Sequence, residues 1–503
     1  MTAKSIRMPD TLLQKAYQVI ISRLDGARIV DPAYCKRQYE LVDNGIGGFI
    51  LFGGRRHELK SFIDQLQARS GIPLFIASDI ERGVGQQVEG MTSFPSQMAF
   101  AAGFDLSQKS DTDLLIQAIL AIAAEAAEIG INMPLIPVLD VNSNPDNPII
   151  CTRAFSDEPD RVAQFGSIYI KNLKRANLIS CAKHFPGHGD TATDSHISLP
   201  EIRKTREDLF DCDIAPFSRA IEAGVDSIMM GHLNVPALDA RPASLSHKII
   251  TGLLKEEFGF DGLVLTDALN MHALREFGDA GLECLKAGAD ILLHPADPHA
   301  TASVLLSALS EKRLDPGILN TAVDRILERK KKLIRRAPEE IDLDNNAALS
   351  KIISQRAVTL IKDTSGLLPL ADADAVRIIF AGDDKYFSSS AFTSFRGHSS
   401  ACGNFEASSN EVILIAVFTS VAAWSGSSGI SDEERTRLTH LIAEAKKSIV
   451  VSFGSPYVLR YFKNANVLIA VYDSTVQSQE AAISCLRGFN PFTGRLPVHM
   501  PEV

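Results

Sequence analysis

Short apolar runs alternate with longer amphipathic stretches over the first two thirds of the chain. Stretches with helical periodicity, such as Asp111–Ile129 and Arg203–Ala223, separate the runs. This alternation predicts buried strands joined by helices, either as an open doubly wound sheet or as a (β/α)8 barrel. The apolar runs are Gly48–Phe52, Leu74–Ser78, Ile131–Leu139, Leu178–Ala182, Ser227–Met230, Leu263–Thr266 and Asp290–Leu293.

Polar side chains follow almost every one of these runs. A barrel collects the carboxyl ends of all its strands at one rim, whereas an open sheet concentrates its site at one switch point. The distribution therefore favours a (β/α)8 TIM-type barrel. In chain order the residues after the runs are Asp79 and Glu81, Asp140 and Asn142, Lys183 and His184, His232 and Asn234, Asp267, and His294.

The basic segment Arg325–Arg336 and the following Ala-Pro-Glu-Glu look like a last helix and its exit. Basic residues suit the carboxyl end of a helix dipole, so we interpret them as a solvated helix end. The alternation then resumes with four more apolar runs. We therefore predict a catalytic barrel over residues 1–340 and a second α/β domain over 341–503. The later runs are Val376–Ala381, Val412–Phe418, Ile449–Phe453 and Val467–Val471.

Composition narrows the class of protein. The 503 residues carry a net charge of −10 without a long basic run, which argues against nucleic acid and anionic membranes as partners. The seven cysteines are scattered and form no CxxC pair, as expected of reduced thiols. We see neither a signal-peptide apolar region nor a window of about 18 apolar residues. These features are typical of a cytoplasmic enzyme.

The most informative segment is residues 183–196, Lys-His-Phe-Pro-Gly-His-Gly-Asp-Thr-Ala-Thr-Asp-Ser-His. It follows a predicted strand and contains three histidines. Asp194 and His196 are two positions apart, so in an extended loop both side chains point the same way. Asp194 would then hold one ring nitrogen and leave the other for proton transfer. The segment could instead be a polar surface loop, or the pair could only tie the loop down.

A metal site is not expected in this segment. His184 and His188 have the i, i+4 spacing of helical metal ligands, but Pro186 and Gly187 between them disfavour a helix. We expect Lys183 and His184 to bind substrate hydroxyls instead.

Asp267 ends a strongly apolar run and therefore belongs at the rim with partners, because burying an isolated carboxylate is costly. A strand-end aspartate also caps a following helix in many folds. Paired with a proton donor from another loop, it would supply the carboxylate that attacks the anomeric carbon in glycosidic cleavage.

Several of these segments together resemble glycoside hydrolase family 3, and within it the β-N-acetylglucosaminidases. Residues 183–196 match that subgroup's K-H-F-P-G-H-G-x-T-x-x-D-S-H signature completely. The resemblance covers most of the chain. It extends over Gly47–Phe52, Pro137–Asn147 with Arg153 after it, Gly259–Gly262 with Asp267, Ala357–Leu370 and Gly494–Val498.

The resemblance implies a role for each matching residue. Asp267 would be the nucleophile, and His196 supported by Asp194 the acid/base. Asp79, Arg153, Lys183 and His184 would bind the sugar. The C-terminal region would be an α/β sandwich domain, and no metal or organic cofactor is implied.

One segment departs from the family pattern. The family's second-strand motif D-x-E-G-G-R-V-Q-R reads Asp-Ile-Glu-Arg-Gly-Val-Gly-Gln-Gln over residues 79–87. Its final arginine is Gln87 here, and Arg82 places a charge at a different position.

The resulting hypothesis is a retaining exo-β-N-acetylglucosaminidase acting on a small carbohydrate, such as a cell-wall fragment or a chitooligosaccharide, in a bacterial cytoplasm. A neutral imidazole repels phosphate less than a carboxylate does, so a phosphorylase stays open as a second reading, as does a β-glucosidase. A sugar-binding protein on a decayed barrel and a metal-dependent hydrolase are rival hypotheses that the sequence disfavours. Oligomeric state is not readable from the sequence.

Overall fold

The computed structural model describes residues 8–195, 198–333, 341–371, 374–395, 398–400, 411–421 and 427–501. The first eight strands are all parallel to their neighbours and belong to the N-terminal unit, here residues 8–333. Seven of them overlap the predicted runs, although β5 begins and ends three residues later than its run. They are β1 Ile20–Asp25, β2 Gly48–Phe52, β3 Phe75–Ser78, β4 Met133–Pro134, β5 Cys181–Phe185, β6 Ser227–Met230, β7 Leu263–Thr266 and β8 Leu292–Leu293.

These strands form two sheets, one with the order β4-β3-β2-β1-β8 and one with the order β5-β6-β7. Two parallel bridges connect the sheets, Val138 with Lys183 and Leu265 with Ile291. Beside them, the Leu139 amide donates to the Lys183 carbonyl at 2.8 Å and the Thr266 amide to the Ile291 carbonyl at 3.0 Å. The arrangement fits a TIM-like α/β domain, as the sequence pattern predicts.

Helices separate the strands of this unit, and three of them begin at an Asp-Pro pair. Asp31, Asp297 and Asp315 each accept a backbone N–H of the first turn, while the proline after each has no N–H that needs a partner. The helices are α1 Leu12–Gln18, α2 Pro32–Asp43, α3 Arg56–Arg69, α4 Gln97–Gly103, α5 Lys109–Ile129, α6 Pro159–Arg175, α7 Arg206–Asp208, α8 Ala215–Glu222, α9 Ala280–Ala287, α10 Pro298–Ser310 and α11 Pro316–Lys331, with π-helical turns at Leu209–Asp213 and Lys248–Glu257.

The interpretation of the basic segment as a solvated helix end is wrong for three of its residues. Arg325 and Arg329 of α11 pair with Asp290 and Asp226, which lie just before strands β8 and β6. The Lys330 side chain is only 1% exposed, and its Nζ donates to the Gln18 side chain and the Gly47 carbonyl, each at 2.7 Å. These side chains therefore pack against the amino-terminal ends of the strands instead of facing water.

The C-terminal unit, here residues 343–501, contains a six-stranded sheet with the order β11-β10-β12-β13-β14-β9, in which only β9 is antiparallel. Alternate residues of β12 join two different apolar clusters, so both faces of the sheet are covered. Its elements are α12 Leu343–Ala357, β9 Thr359–Asp363, β10 Val376–Gly382, β11 His398–Ser400, β12 Val412–Phe418, α13 Asp432–Glu444, β13 Lys447–Phe453, β14 Val467–Ala470 and α14 Val476–Leu486.

The two units share two apolar clusters, because Leu349 and Ile353 of α12 pack into the core of the N-terminal unit and a second cluster also draws on both units. Met98 and Cys151 of the N-terminal unit pack with Tyr457 and Val498 of the C-terminal unit. Residues that follow β12, β13 and β14 contact loops at the carboxyl ends of the N-terminal strands. The rim of the first unit therefore lies next to the second unit.

Candidate active site

The four predicted sugar-binding residues belong to two neighbouring polar groups at the rim, one around Glu81 and one around Asp140. The Lys183 ammonium, 1% exposed, lies 2.6 Å from an Asp79 oxygen and 2.7 Å from Glu81 Oε1. Arg153 Nη2 and Nε donate to the two oxygens of Glu81 at 2.8 and 2.9 Å. We call Asp79, Glu81, Arg153 and Lys183 the lysine cluster.

Glu81 is the centre of the lysine cluster. Burial by itself would raise the pKa of Glu81, but the charges of Arg153 and Lys183 outweigh it and hold that pKa well below its usual range. Burial likewise opposes the charge on Lys183, and Asp79 and Glu81 more than compensate, so the pKa of Lys183 is raised. Sequence reasoning assigned no role to Glu81. The available signal was its position directly after the β3 run.

Asp140 organises the start of residues 183–196. Its Oδ2 lies 2.7 Å from His184 Nδ1, and its Oδ1 accepts the backbone N–H groups of His184 and His188 at 3.1 and 2.7 Å. An ionised carboxylate only accepts, so His184 carries its proton on Nδ1. Burial opposes the charge on Asp140, but His184 and His188 lower its pKa overall. Asp140 was also not assigned a role, although it follows a predicted strand.

His188 holds the next part of the segment together. Its Nδ1 lies 2.7 Å from Thr191 Oγ1 and its Nε2 lies 3.1 Å from Ser195 Oγ. Burial and the neighbouring His184 lower the pKa of His188 to about 4, so the ring is neutral near pH 7. Beyond it, the Asp194 side chain is only 1% exposed. His196 lies outside the described residues, so the dyad stays a prediction.

Asp267 follows β7 on the same rim. Its backbone N–H donates to the Met230 carbonyl at 3.0 Å, and its Oδ1 accepts the Ala268 N–H at 2.7 Å. Its charge acts on the pKa of His188 and of His294. Asp267, His188 and His294 therefore share one electrostatic environment, as expected for strand ends that meet at a rim.

His232 and His294, which also follow predicted strands, support this region. His232 Nε2 lies 3.3 Å from the carbonyl of Ala268, the residue after Asp267, and its Nδ1 lies 2.8 Å from Ser244 Oγ. Burial and the charge of Arg23 lower the pKa of His294 to about 4.

Gln87, which replaces the family's arginine, bonds to backbone. It accepts the Gly53 N–H at 3.2 Å and donates to the Asp79 carbonyl at 3.1 Å. Arg82 instead lies 3.7 Å from Asp473 of the C-terminal unit. Gln87 thus ties the β2 and β3 loops together, and Arg82 lies between the units.

Other features of the described residues do not add a second reactive site. A cavity of about 630 Å³ between the two units is lined by charged residues such as Asp105, Arg161 and Arg495, and none of its lining residues belongs to the lysine cluster. Within the described ranges, no three His, Cys, Asp or Glu side chains are grouped as a metal site would require. No described helix is both long and apolar enough to cross a membrane.

Comparison with known proteins identifies the family. A profile described as "Glycosyl hydrolase family 3 N terminal domain" matches residues 14–329. "Beta-hexosaminidase A" of Pseudoalteromonas piscicida is 33% identical over 384 residues, which are 68% of this chain and 64% of that protein, so the match spans less than two thirds of the relative. A "Beta-N-acetylglucosaminidase/beta-glucosidase" of Cellulomonas fimi is 25% identical over 90% of this chain and 88% of its own.

A solved structure supports the same assignment over nearly the full length. The glycoside hydrolase family 3 beta-N-acetylglucosaminidase of Paenibacillus sp. str. FPU-7 superposes with a TM-score of 0.84 at 26% identity, covering 98% of this chain and 100% of that chain. The similarity extends through both units. The chain therefore belongs to glycosyl hydrolase family 3.

Proposed function

We propose that this chain is a retaining exo-β-N-acetylglucosaminidase. The observation that carries the proposal is that Asp267, the buried Asp194 and the lysine cluster all lie at the carboxyl ends of the parallel strands or on the loops that follow them. The names of the Pseudoalteromonas, Cellulomonas and Paenibacillus relatives support a terminal β-linked GlcNAc as the substrate.

Each site residue has a role in this proposal. Asp79, Lys183 and Arg153 bind hydroxyl groups of the sugar, because charged donors and acceptors make the strongest hydrogen bonds to them, and His184 binds a further hydroxyl group. Glu81 and Asp140 keep those side chains in place. The substrate is a cell-wall fragment or a chitooligosaccharide, and the chemistry uses no cofactor.

The reaction has two steps. The Asp267 carboxylate attacks the anomeric carbon while the glycosidic bond breaks, and the leaving oxygen takes a proton from the protonated His196. The neutral imidazole then takes a proton from water, whose oxygen attacks the same carbon and releases Asp267. Two inversions at one carbon give retention. Asp194 orients His196 and stabilises its protonated form.

We also propose a division of the chain into a closed (β/α)8 TIM-type barrel over residues 1–340 and an α/β sandwich domain over 341–503. The two bridges between the N-terminal sheets support closure. Six described cysteines are unpaired thiols, which favours a reducing compartment such as a bacterial cytoplasm.

A phosphorylase is the second candidate, because a histidine stands where the acid/base is proposed. After donating its proton the imidazole is neutral, so it repels phosphate much less than a carboxylate would. The name of the Cellulomonas relative also keeps β-glucosides as candidate substrates.

The test compares aryl β-GlcNAc with aryl β-glucoside, with and without phosphate, and identifies the product. We expect faster turnover of the GlcNAc substrate, with free β-GlcNAc released first. GlcNAc 1-phosphate as the main product would make the protein a phosphorylase. Preference for the glucoside would make it a glucosidase, and turnover of neither would overturn the proposal.

The nucleophile is tested with Asp267→Asn, which we expect to lower turnover at least about a thousandfold. A fluorinated glycoside should label the peptide that contains residue 267. Asp261→Asn is the matched control, because that side chain is 94% exposed before the same strand. Labelling of another peptide, or an inverted product, would contradict the assignment.

A further inference from the structure

A hydrogen bond joins the C-terminal unit to the loop after β4. Ser428 is a buried residue of the segment that connects β12 to α13, and its hydroxyl donates to the Asn147 carbonyl at 2.9 Å. A second contact lies nearby, where the Asn142 side chain donates to the Tyr457 hydroxyl at 3.0 Å. Arg460 of the C-terminal unit also pairs with Asp146, so the C-terminal unit holds the 142–147 loop at three points.

Asn147 connects this loop to residues 187–191. Its fully buried Nδ2 donates to the carbonyls of His188 and Gly189 at 2.8 and 3.0 Å. Its Oδ1 accepts the N–H groups of Ile149 and Ile150 at 3.0 and 2.7 Å. Both the nitrogen and the oxygen of the Asn147 side-chain amide are thus hydrogen-bonded, so a displacement of Asn147 also displaces residues 188 and 189.

The close packing of Gly189 makes this coupling tight. A Cβ at position 189 would lie 1.7 Å from the Val141 carbonyl oxygen, far inside van der Waals contact. The Asn144 N–H also donates to the Gly189 carbonyl at 3.3 Å. Residues 187–191 therefore rest directly on the loop that the C-terminal unit holds.

The His188 ring carries the restraint forward to Ser195. Thr191 Oγ1 donates to the His188 carbonyl at 3.0 Å, so the 2.7 Å contact with the ring requires Nδ1 to carry the proton. Nε2 of the neutral ring is then an acceptor, and the Ser195 hydroxyl donates to it at 3.1 Å. Ser195 lies between Asp194 and His196 in the sequence.

We propose that Ser428 and Asn147 are positioning residues through which the C-terminal unit fixes the loop that carries Asp194 and His196. The inference rests on the proposed function, because it assigns acid/base catalysis to that loop. The restraint runs from Ser428 to Asn147, then to His188, and then to Ser195. Removing it misplaces the proton donor while Asp267, which directly follows β7, keeps its position.

The test measures kcat/KM for aryl β-GlcNAc substrates whose leaving groups differ in acidity. Poor leaving groups need the proton, whereas dinitrophenolate leaves without it. For Ser428→Ala we expect about a threefold to tenfold loss on the poorest leaving group, the size of one hydrogen bond, and less than about twofold on dinitrophenyl. Asn147→Asp keeps the acceptor and removes the donor, and we expect a larger loss with the same dependence.

Ser350→Ala is the matched control. Ser350 is also buried and its hydroxyl also donates across the units, to the Ser93 carbonyl at 2.8 Å, but it does not contact the loop. We expect it to lower all substrates alike or none. A loss independent of leaving group in Ser428→Ala, or the same dependence in Ser350→Ala, would overturn the inference. Inactive wild-type protein with normal melting would instead overturn the proposed function.

Discussion

Glu81→Gln separates charge from shape at the centre of the lysine cluster. Glu81 compensates the buried Lys183 cation at 2.7 Å and the half-buried Arg153, which donates two bonds at 2.8 and 2.9 Å. Glutamine has the same shape but no charge, and its NH2 group faces donors. Removing one partner from a buried ion pair costs about 3–5 kcal/mol. Asp79 still contacts Lys183 at 2.6 Å, so we expect a loss of about 3 kcal/mol, at the lower end of that range.

The direction of the Glu81 pKa shift determines how the stability lost in Glu81→Gln depends on pH. The pKa of Glu81 is lower in the folded protein than in the unfolded chain, where it is about 4.3. Its stabilisation is therefore fully present above about pH 5 and is lost as the pH falls toward the folded pKa. The difference in unfolding free energy between wild type and Glu81→Gln should be constant at neutral pH and shrink below about pH 4.

The assay is urea unfolding of both proteins between about pH 3.5 and 8, which spans the unfolded-state pKa of a glutamate. Glu89→Gln is the control, because Glu89 pairs with Arg55 at 3.3 Å but is 75% exposed, and such pairs contribute about 0–1 kcal/mol. If Glu81→Gln lost no more stability than Glu89→Gln near neutral pH, Glu81 would not stabilise these cations. A difference that did not shrink in acid would refute the electrostatic explanation.

Two further predictions use other titratable groups. Asp194→Asn should move the basic limb of kcat/KM about one pH unit lower, because the lost carboxylate no longer raises the pKa of His196. Asp190→Asn is the control. A basic limb that does not move in Asp194→Asn would contradict the dyad. Burial holds the pKa of Lys330 well below its usual value, so its contribution to stability should rise with pH toward about 10.4. In urea unfolding, the loss of unfolding free energy in Lys330→Met relative to wild type should grow from about pH 7 to 9.5. Lys331→Met is the control, because the Lys331 side chain is 54% exposed. Parallel curves of unfolding free energy against pH for wild type and Lys330→Met would contradict the prediction.

The sequence predicted where strands end more accurately than which strand ends meet. Seven of the eight N-terminal strands overlap predicted apolar runs, because a parallel strand that is buried on both faces must be apolar. β1 was missed, since Ile20–Asp25 contains Ser22, Arg23 and Asp25 and lacks a continuous apolar run. The pattern also predicted too long a fourth strand, of which only Met133–Pro134 pairs regularly.

The hydrophobic pattern could not predict contacts between segments that are far apart in sequence. Glu81 and Arg153 are 72 positions apart, and Lys183 and Asp79 are 104 apart, so periodicity carries no information on their pairing. Lys330 was misread for a related reason. A basic run at a helix end usually faces water, but this one turns one side toward acidic residues just before two strands and toward backbone carbonyls.

The electrostatics of the described site restrict which groups can produce a pH profile. Glu81 has a lowered pKa, and Lys183 and Arg153 have raised ones, so all three keep their charge between about pH 5 and 9. His188 and His294, with pKa values of about 4, stay neutral in the same interval. An inflection of kcat/KM there must come from other groups. Because these five groups do not titrate in that interval, a shift between the wild-type and Asp194→Asn profiles tests whether His196 is the proton donor.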